Sequence, residues 1–573
     1  MRSRRQLQIA ILLLVAATLL SVPTAAQVAK SSSAATSAQA SSTKKPKGAA
    51  TRLSAIVASG RLEDLRWPNL SDYRLHLTNF YRPSGYELAW VRDGEPTPQA
   101  VELIKILQDA DREGLRAEDY DASRWADRLT SLKETHNDAD QARFDAALTV
   151  CAMRYLSDLH VGRINPQHLG FEFDVSHKKL DLPHFVRQRL VNGSDLRSEL
   201  AGVGPPFAGY QRLRDALQHY MELAKSDDGE KLSNPILLPP GGQYEGTRRL
   251  TSLLRLVGDL PDSVTIPPDS KIYEPALADA VKRFQGRHGL RPTGELDSKT
   301  IAEMNVPLSD RLEQMRLGLE RYRWLPYEFK QPPIAVNVPE FRLYGFKEGN
   351  QLGLTMNVNV GEEYDFQTPI FENNIQYIVF RPYWNPPPKI LRNEIIPELK
   401  EDPSLEENGL ELVSASGQVF RSGDVTPAML QQVRSGKLTV RQPPGPENAL
   451  GLVKFIFPNE HHVYIHDTPE SVDMFSEKRK RAVSHGCIHA QEPDKLAAWL
   501  LRNTPGWDLE RVEHAMHEGR DNVRVNLASP IPVLIVYETA VVEENGDIHF
   551  FHDIYGHDAT LEEELAKGYP YPK

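Results

Sequence analysis

The spacing of apolar residues changes twice along the chain and divides it into three regions. In the first, apolar positions recur at helical spacing, most clearly over residues 99–107 and again from about 138 to 160. Side chains three and four residues apart lie on one face of a helix, which can then be buried. The pattern predicts a helical scaffold domain over residues 53–240, and no catalytic group of residues is apparent in it.

A Pro- and Gly-rich stretch at 237–242 separates this region from a compact second one at 245–310. Apolar residues recur at helical spacing from Leu250 to Leu256 and from Tyr273 to Phe284, and a last helix is predicted around Thr300. This region is predicted to be a small three-helix unit.

From about residue 330 the pattern becomes that of β-strands. Short runs rich in β-branched residues alternate with Gly, Pro and Asn, and an Asn-Gly pair at 545–546 is typical of a hairpin. Between about 390 and 439 the pattern gives way to charged sequence, which predicts an insertion, and insertions near a site often act as lids. The predicted sheet contains the runs 333–338, 352–361, 368–371, 375–380, 438–446, 450–459 and 532–537.

Together these patterns predict a multidomain α+β protein. The helical scaffold and the three-helix unit precede a mainly-β domain at 330–545, which carries the lid-like subdomain at about 390–439. A C-terminal strand and tail, 546–573, completes the chain of 573 residues.

The N-terminus is typical of an exported protein. Residues 1–5 are basic, the stretch from Leu7 to Val22 is almost wholly apolar, and small residues follow up to Ala26, which predicts a signal peptide over 1–26. Residues 27–52 contain no acidic side chain and are predicted to be a flexible linker. We expect a periplasmic protein, anchored in the inner membrane if the signal is not cleaved.

Composition limits the partners. The formal charge is −11, with 40% hydrophobic and 25% charged residues, which favours globular domains and argues against nucleic acid as a partner. The sequence identifies no protein partner.

Two cysteines occur in the chain, and they lie in different contexts. Cys151 is in a predicted buried helix, whereas Cys487 follows Ser484, His485 and Gly486. A disulfide between them would remove a potential nucleophile, so both are predicted to be free.

The surroundings of Cys487 favour acyl transfer. A thiol becomes a good nucleophile when a base or a cation favours its thiolate, and His466, His485 and His489 could supply an imidazole. Gly486 allows a sharp turn that directs backbone N–H groups towards a developing oxyanion. The sequence therefore predicts a cysteine acyl-transfer site.

The residues around Cys487 allow two other interpretations. A cysteine is often only a small buried apolar residue. A zinc site is also conceivable, but the chain has no C-x-x-C spacing, and no metal is predicted. Its possible ligands would come from His461, His462, His466, His485, Cys487 and His489.

Two stretches resemble known families. The unit at 245–310 resembles peptidoglycan-binding domains in its helix ending Phe284-Gln285, its Gly289-Leu290 turn and its Gly-x-Leu-Asp at 294–297. His466, followed by seventeen residues and then Ser-His-Gly-Cys-Ile at 484–488, resembles the motif of YkuD-family L,D-transpeptidases. The order of the regions resembles the YcbB-like branch of that family, as do 441–443, 448–451, 454–459 and 466–469.

The resemblance implies roles for individual residues. Cys487 would be the nucleophile and His466 the general base, with the carbonyl after His466 orienting its ring, while His485 shapes the site. The amides of Gly486 and Cys487 would form the oxyanion hole. His489 stands where the family usually has Arg or Asn, and could donate to a substrate carboxylate if protonated. Substrate contacts are expected from Ser484, His489, Asp467, Tyr464 and Trp384.

The implied function is formation of 3–3 cross-links between peptidoglycan stem peptides. A tetrapeptide stem would be the donor, a diamino-acid side chain of a second stem the acceptor, and D-Ala the leaving group. No cofactor is needed, and carbapenem-type compounds are expected to inhibit. The alternatives are an L,D-carboxypeptidase that uses water, and a catalytically weak peptidoglycan-binding scaffold.

Overall fold

The computed structural model describes residues 48–469, 472–475, 480–569 and 571. The predicted signal peptide and most of the predicted linker lie outside these residues. No helix in the described part is both long enough and apolar enough to span a bilayer.

The scaffold domain is helical, as predicted. The helix predicted at about 138–160 is α5, whose N-cap Asn137 accepts backbone N–H groups of Ala139 and Asp140. The first helix begins at Ala49, inside the predicted linker, because Leu53 and Val57 are buried in the domain core. The helices are α1 (Ala49–Ser59), α2 (Arg74–Tyr81), α3 (Pro98–Gln108), α4 (Trp125–Thr135), α5 (Asp138–Val161), α6 (Leu182–Phe185), α7 (Leu196–Ala201) and α8 (Ala208–Ser226), with a hairpin of β1 (Val91–Arg92) and β2 (Glu95–Pro96).

The second region contains the three predicted helices around one small core. Asp297 caps the last of them by accepting Thr300 N–H at 2.7 Å. Part of the Pro- and Gly-rich stretch at 237–242 belongs to this unit, since residues 237–238 form a strand that pairs with residues 296–297. The elements are β3 (Leu237–Leu238), α9 (Thr247–Leu256), α10 (Pro275–Arg287), β4 (Leu296–Asp297) and α11 (Ser298–Met304), followed by α12 (Leu308–Tyr322).

Four strands open the C-terminal domain. The two runs predicted at 368–371 and 375–380 form one strand that begins at Phe371, because the polar residues between them continue the ladder. The strands are β5 (Ile334–Asn337), β6 (Arg342–Phe346), β7 (Leu352–Gly361) and β8 (Phe371–Phe380).

The insertion follows β8 and has a core of its own, which includes Leu399, Leu412 and Val440. The sheet was expected to resume at 438–446, but residues 438–441 pair within the insertion instead. Alternation of buried and exposed residues identifies a strand without identifying its sheet, which explains this error. The elements are α13 (Pro388–Ile390), a π-helical turn (Leu391–Ile395), α14 (Ile396–Glu401), β9 (Glu411–Ser414), β10 (Val419–Phe420), α15 (Pro427–Arg434) and β11 (Leu438–Arg441).

The remaining elements complete the domain and the tail. The predicted Asn-Gly hairpin forms between two short strands, and the tail adds a helix that the sequence analysis did not predict. Tyr569 and Tyr571 then bury their rings and donate to Asp158 and Asp119 of the scaffold. The elements are β12 (Val453–Ile456), β13 (Ile465–His466), β14 (Ala482–Ser484), β15 (Ile488–Ala490), α16 (Pro493–Leu501), α17 (Leu509–His517), β16 (Val523–Val536), β17 (Ala540–Val542), β18 (Ile548–Phe550) and α18 (His557–Ala566).

Eight strands of this domain form a closed ring. Their order is β7-β15-β13-β12-β8-β16-β5-β6, and β6 pairs back to β7, while β14 also pairs with β7. Val453, Phe455, Ile465 and Ile488 are fully buried in the core. Because side chains alternate across a strand, the residues between them lie on the outer face, where the candidate site is found.

Candidate active site

The two sequence motifs meet where β13 and β15 run side by side. These strands are parallel, with Ile465 opposite Ile488 and His466 opposite His489. Cys487 precedes β15 and lies opposite Tyr464. On the outer face, the Cys487 thiol and the His466 imidazole are therefore diagonal neighbours.

The Cys487 thiol lies in a mostly buried position. Burial raises its pKa, while a hydrogen bond from the Tyr464 backbone and the nearby Lys454 ammonium act in the opposite direction. Because burial is the largest effect, the thiol form dominates in the free protein near neutral pH. A base is then needed to generate the thiolate.

His466 is suited to be that base. It is 3% exposed, and its Nδ1 donates to the carbonyl of Asp467, which leaves Nε2 free of the proton. Burial lowers its pKa well below the usual range, and the neighbouring His489 and Lys454 lower it further. His466 is thus a neutral imidazole over a wide range of pH.

His489 is a second neutral imidazole. Its ring centroid is 4.8 Å from that of His466, and burial lowers its pKa to about 4. At neutral pH it therefore carries no charge to offer a substrate carboxylate. Its Nδ1 and both amide atoms of its cross-strand partner Asn359 lack hydrogen-bond partners within the described residues.

The loop before Cys487 is held by its own hydrogen bonds. Gly486 has φ +102°, which favours glycine, and its carbonyl accepts from Thr368 Oγ1 at 2.9 Å. Ser484 Oγ donates to the Cys487 carbonyl and accepts the Gly486 N–H at 3.1 Å. The Gly486 N–H thus already donates a hydrogen bond to Ser484 Oγ. It was expected to help form the oxyanion hole instead. The Cys487 N–H has no acceptor among the described residues and remains available.

The His485 side chain contacts the insertion and the Phe366 ring. Its Nε2 lies 3.1 Å from Glu394 Oε1 in the π-helical turn. Its ring packs edge-on against that of Phe366, with the two ring centroids 4.5 Å apart. Lys389 of the insertion lies over the same Phe366 ring at 4.0 Å. His485 therefore connects the loop at 484–487 to the insertion.

Three family models match parts of the chain. Residues 332–513 match the family described as "L,D-transpeptidase catalytic domain" (YkuD), residues 244–304 match "Putative peptidoglycan binding domain", and residues 76–217 match "Scaffold domain". The chain carries a YkuD-family L,D-transpeptidase catalytic domain. Its peptidoglycan-binding domain is the three-helix unit.

Individual proteins are also similar to parts of this chain. A "Putative L,D-transpeptidase" of Haemophilus influenzae is 30% identical over 267 residues, 46% of this chain and 52% of that protein, so the chain spans about half the length of this curated relative. An L,D-transpeptidase structure from Xylanimonas cellulosilytica (residues 123–326) is 14% identical over 53% of this chain and 100% of the other, with a TM-score of 0.18. One from Stackebrandtia nassauensis is 12% identical over 52% and 94%, with a TM-score of 0.21. Such TM-scores are too low to support a statement about the fold.

The other predicted substrate contacts of the L,D-transpeptidase domain have structural partners. Both carboxylate oxygens of Asp467 accept backbone N–H groups, from Leu452 and Thr468, each at 2.8 Å. Trp384 exchanges backbone hydrogen bonds with Gln442 and borders the core of the insertion. Asp467 therefore fixes the turn after His466, and Trp384 belongs to the join between the barrel and the insertion.

Three residues near the thiol were given no role in the sequence-based predictions. Thr368 has no local signal, because its bond to Gly486 joins positions 118 residues apart. Asn359 lies within an apolar strand run that predicts only a strand. Lys454 stands between apolar residues that face inwards, and this isolated charge could have been noticed.

Replacing Gly361 by alanine is expected to disrupt the catalytic loop. A Cβ at this position would lie 1.8 Å from the Phe366 carbonyl oxygen and 2.9 Å from Gly486 Cα, so backbone must move. We expect a loss of about 3 kcal/mol or more in stability, at the upper end of point-mutation effects, and loss of turnover. Thermal unfolding and product formation measure the two effects.

The matched control is Gly286→Ala in α10, where a Cβ would meet nothing within 4 Å. This variant should be unchanged or slightly more stable, because alanine is the better helix former. Equal stability of the two variants would contradict the close contact at Gly361.

Proposed function

We propose that this protein is a cysteine-dependent L,D-transpeptidase that forms 3–3 cross-links between peptidoglycan stem peptides and releases D-Ala. The observation that supports this most is the pairing of β13 with β15, which brings a buried neutral His466 next to Cys487 within the matched catalytic domain. The peptidoglycan-binding domain supports the choice of substrate. We further propose a periplasmic location and membership of the YcbB-like branch.

In the first half-reaction, His466 takes the thiol proton as Cys487 Sγ attacks the carbonyl carbon of the third residue of a tetrapeptide stem. The Cys487 N–H donates to the oxyanion. The tetrahedral intermediate collapses, the amide C–N bond breaks, and His466 returns the proton to the D-Ala amine. A thioester remains on Cys487.

In the second half-reaction, the side-chain amine of a diamino acid in another stem attacks the thioester. His466 accepts the proton of this amine and returns it to the departing sulfur, so that the thiol is restored and an amide is formed. No metal or organic group takes part in these steps. The peptidoglycan-binding domain would raise the local concentration of stems by holding the same glycan strand.

The insertion is proposed to act as a lid over the stems. The contacts of His485 with Glu394 and of Phe366 with Lys389 support this role, since they join the insertion to the catalytic loop. Carbapenem-type compounds, which carry a strained acyl group, are expected to acylate Cys487.

Product analysis with a purified disaccharide tetrapeptide tests the function. Chromatography with mass spectrometry should show a dimer that lacks one D-Ala and resists cleavage by D,D-endopeptidase, as a 3–3 bond does. Tripeptide alone, even with excess diamino-acid acceptor, would identify an L,D-carboxypeptidase. No reaction at all would favour a weak scaffold, and loss of activity to chelators but not to thiol alkylation would identify a metal hydrolase.

A further inference from the structure

Lys454 lies beside the candidate site, but the motif that contains His466 and Cys487 gives it no role. It lies in β12, where its neighbours Val453 and Phe455 are fully buried in the core, so its own side chain is on the outer face. Strand register places it directly opposite His466. Its Nζ lies 3.8 Å from the ring centroid of Tyr464, the residue opposite Cys487. The ammonium is therefore beside the candidate nucleophile.

The charge of Lys454 is not balanced by a carboxylate. Among residues 48–469, 472–475 and 480–569, no Asp or Glu lies within ion-pair distance of its Nζ, although the side chain is mostly buried. Lys178 is also a buried lysine, but its ammonium is compensated by hydrogen bonds that it donates to the carbonyls of Arg323 and Leu325. A partly desolvated cation without an anion is costly, and such groups are common at functional sites.

The ionisable groups around Lys454 come from three directions. His466 of β13 and the preceding Tyr464 face it on one side, and Cys487 lies just before β15. Tyr377 and Arg524 face it from β8 and β16. None of these groups is a carboxylate, and Cys487 becomes an anion when its thiol loses the proton. The thiolate is thus the natural counter-ion of this ammonium.

We propose that Lys454 is a positioning residue that stabilises the Cys487 thiolate at the moment His466 removes its proton. In this step the S–H bond breaks, a bond forms between the proton and His466 Nε2, and Lys454 keeps its own proton. The inference rests on the proposed use of Cys487 as nucleophile, and it holds whether an amine or water resolves the thioester.

Two electrostatic effects agree with this arrangement. Burial lowers the pKa of Lys454 and the Cys487 thiolate raises it, while Lys454 in turn lowers the pKa of Cys487. Lys454 also lowers the pKa of His466. The same ammonium therefore favours the thiolate and makes the imidazolium a better acid towards the leaving amine.

The test compares Lys454→Met, which keeps the apolar stem, with Lys454→Arg, which keeps the charge. The rate of Cys487 alkylation by iodoacetamide is followed by intact mass from pH 5 to 10 on the full chain. We expect Lys454→Met to react about tenfold more slowly at pH 7, with its profile displaced to higher pH, because a cation near the sulfur is lost. Lys454→Arg should restore the wild-type profile, and kcat should fall more than KM rises in the Met variant.

Alkylation needs no peptidoglycan, so this result is separate from that of the product analysis. Coincident alkylation profiles for the wild type and Lys454→Met would overturn the proposal. So would an increase in KM alone, which would show that Lys454 binds a substrate carboxylate instead. Lys454→Gln provides a second neutral variant, with folding checked by circular dichroism, if Lys454→Met does not fold.

Discussion

Replacing Cys487 by serine is expected to abolish cross-link formation. The hydroxyl of serine is a far weaker acid than a thiol, and the neutral imidazole of His466 is not expected to deprotonate it well enough to replace the thiolate. Removal of a nucleophile costs at least about 10⁴-fold in turnover when the catalytic groups act as a unit. Product formation from tetrapeptide stems measures the loss, and intact mass shows whether a carbapenem still adds to the protein.

The matched control is Cys151→Ala. Cys151 lies fully buried in α5, and burial raises the pKa of its thiol, so it should neither react with the carbapenem nor affect turnover. The mass increase should therefore occur in the wild type and in Cys151→Ala, and should be absent in Cys487→Ser. Full turnover in Cys487→Ser would contradict the thioester mechanism.

The sequence was most informative where local pattern decides structure. Helix α5 combines a long, mostly apolar run that is buried on all sides with an Asn cap. The three helices around Leu250, Phe284 and Ile301 share one core, and the spacing of their apolar residues sufficed to predict them. The pairing of His466 with Cys487 was predicted from the resemblance to a motif, since nothing local indicates that residues twenty-one positions apart lie on adjacent parallel strands.

Contacts between residues that are distant in the sequence could not be predicted from local patterns. Residues 438–441 have the alternation of a strand, but only the contact of Val440 with the insertion core decides which sheet they join. Likewise, the Gly486 amide was expected to help form the oxyanion hole, and only the three-dimensional loop shows that its N–H donates a hydrogen bond to Ser484 Oγ. His489 is neutral because it is buried, and the sequence alone does not show that a histidine at this position is buried.

Replacing His466 by glutamine is expected to lower kcat/KM by about 10²–10⁴-fold, the usual contribution of a general base. In the wild type, burial holds the pKa of His466 well below its usual range, so the base remains unprotonated as pH falls through 6.5. Activity should therefore persist at mildly acid pH and decline only at lower pH, where the imidazole gains a proton. The measurement is kcat/KM as a function of pH.

The residual activity of His466→Gln should have a different pH dependence. Without the imidazole, the thiolate forms only by ionisation of Cys487, whose pKa is raised by burial, so the rate should climb steadily into the alkaline range. His485→Gln is the matched control, because His485 contacts Glu394 of the insertion and not the thiol. It should keep the acid limb of the wild-type profile even if its contact with the insertion lowers the rate. If His485→Gln lost that acid limb while His466→Gln kept it, the base would be His485 and not His466. That result would contradict the proposed mechanism.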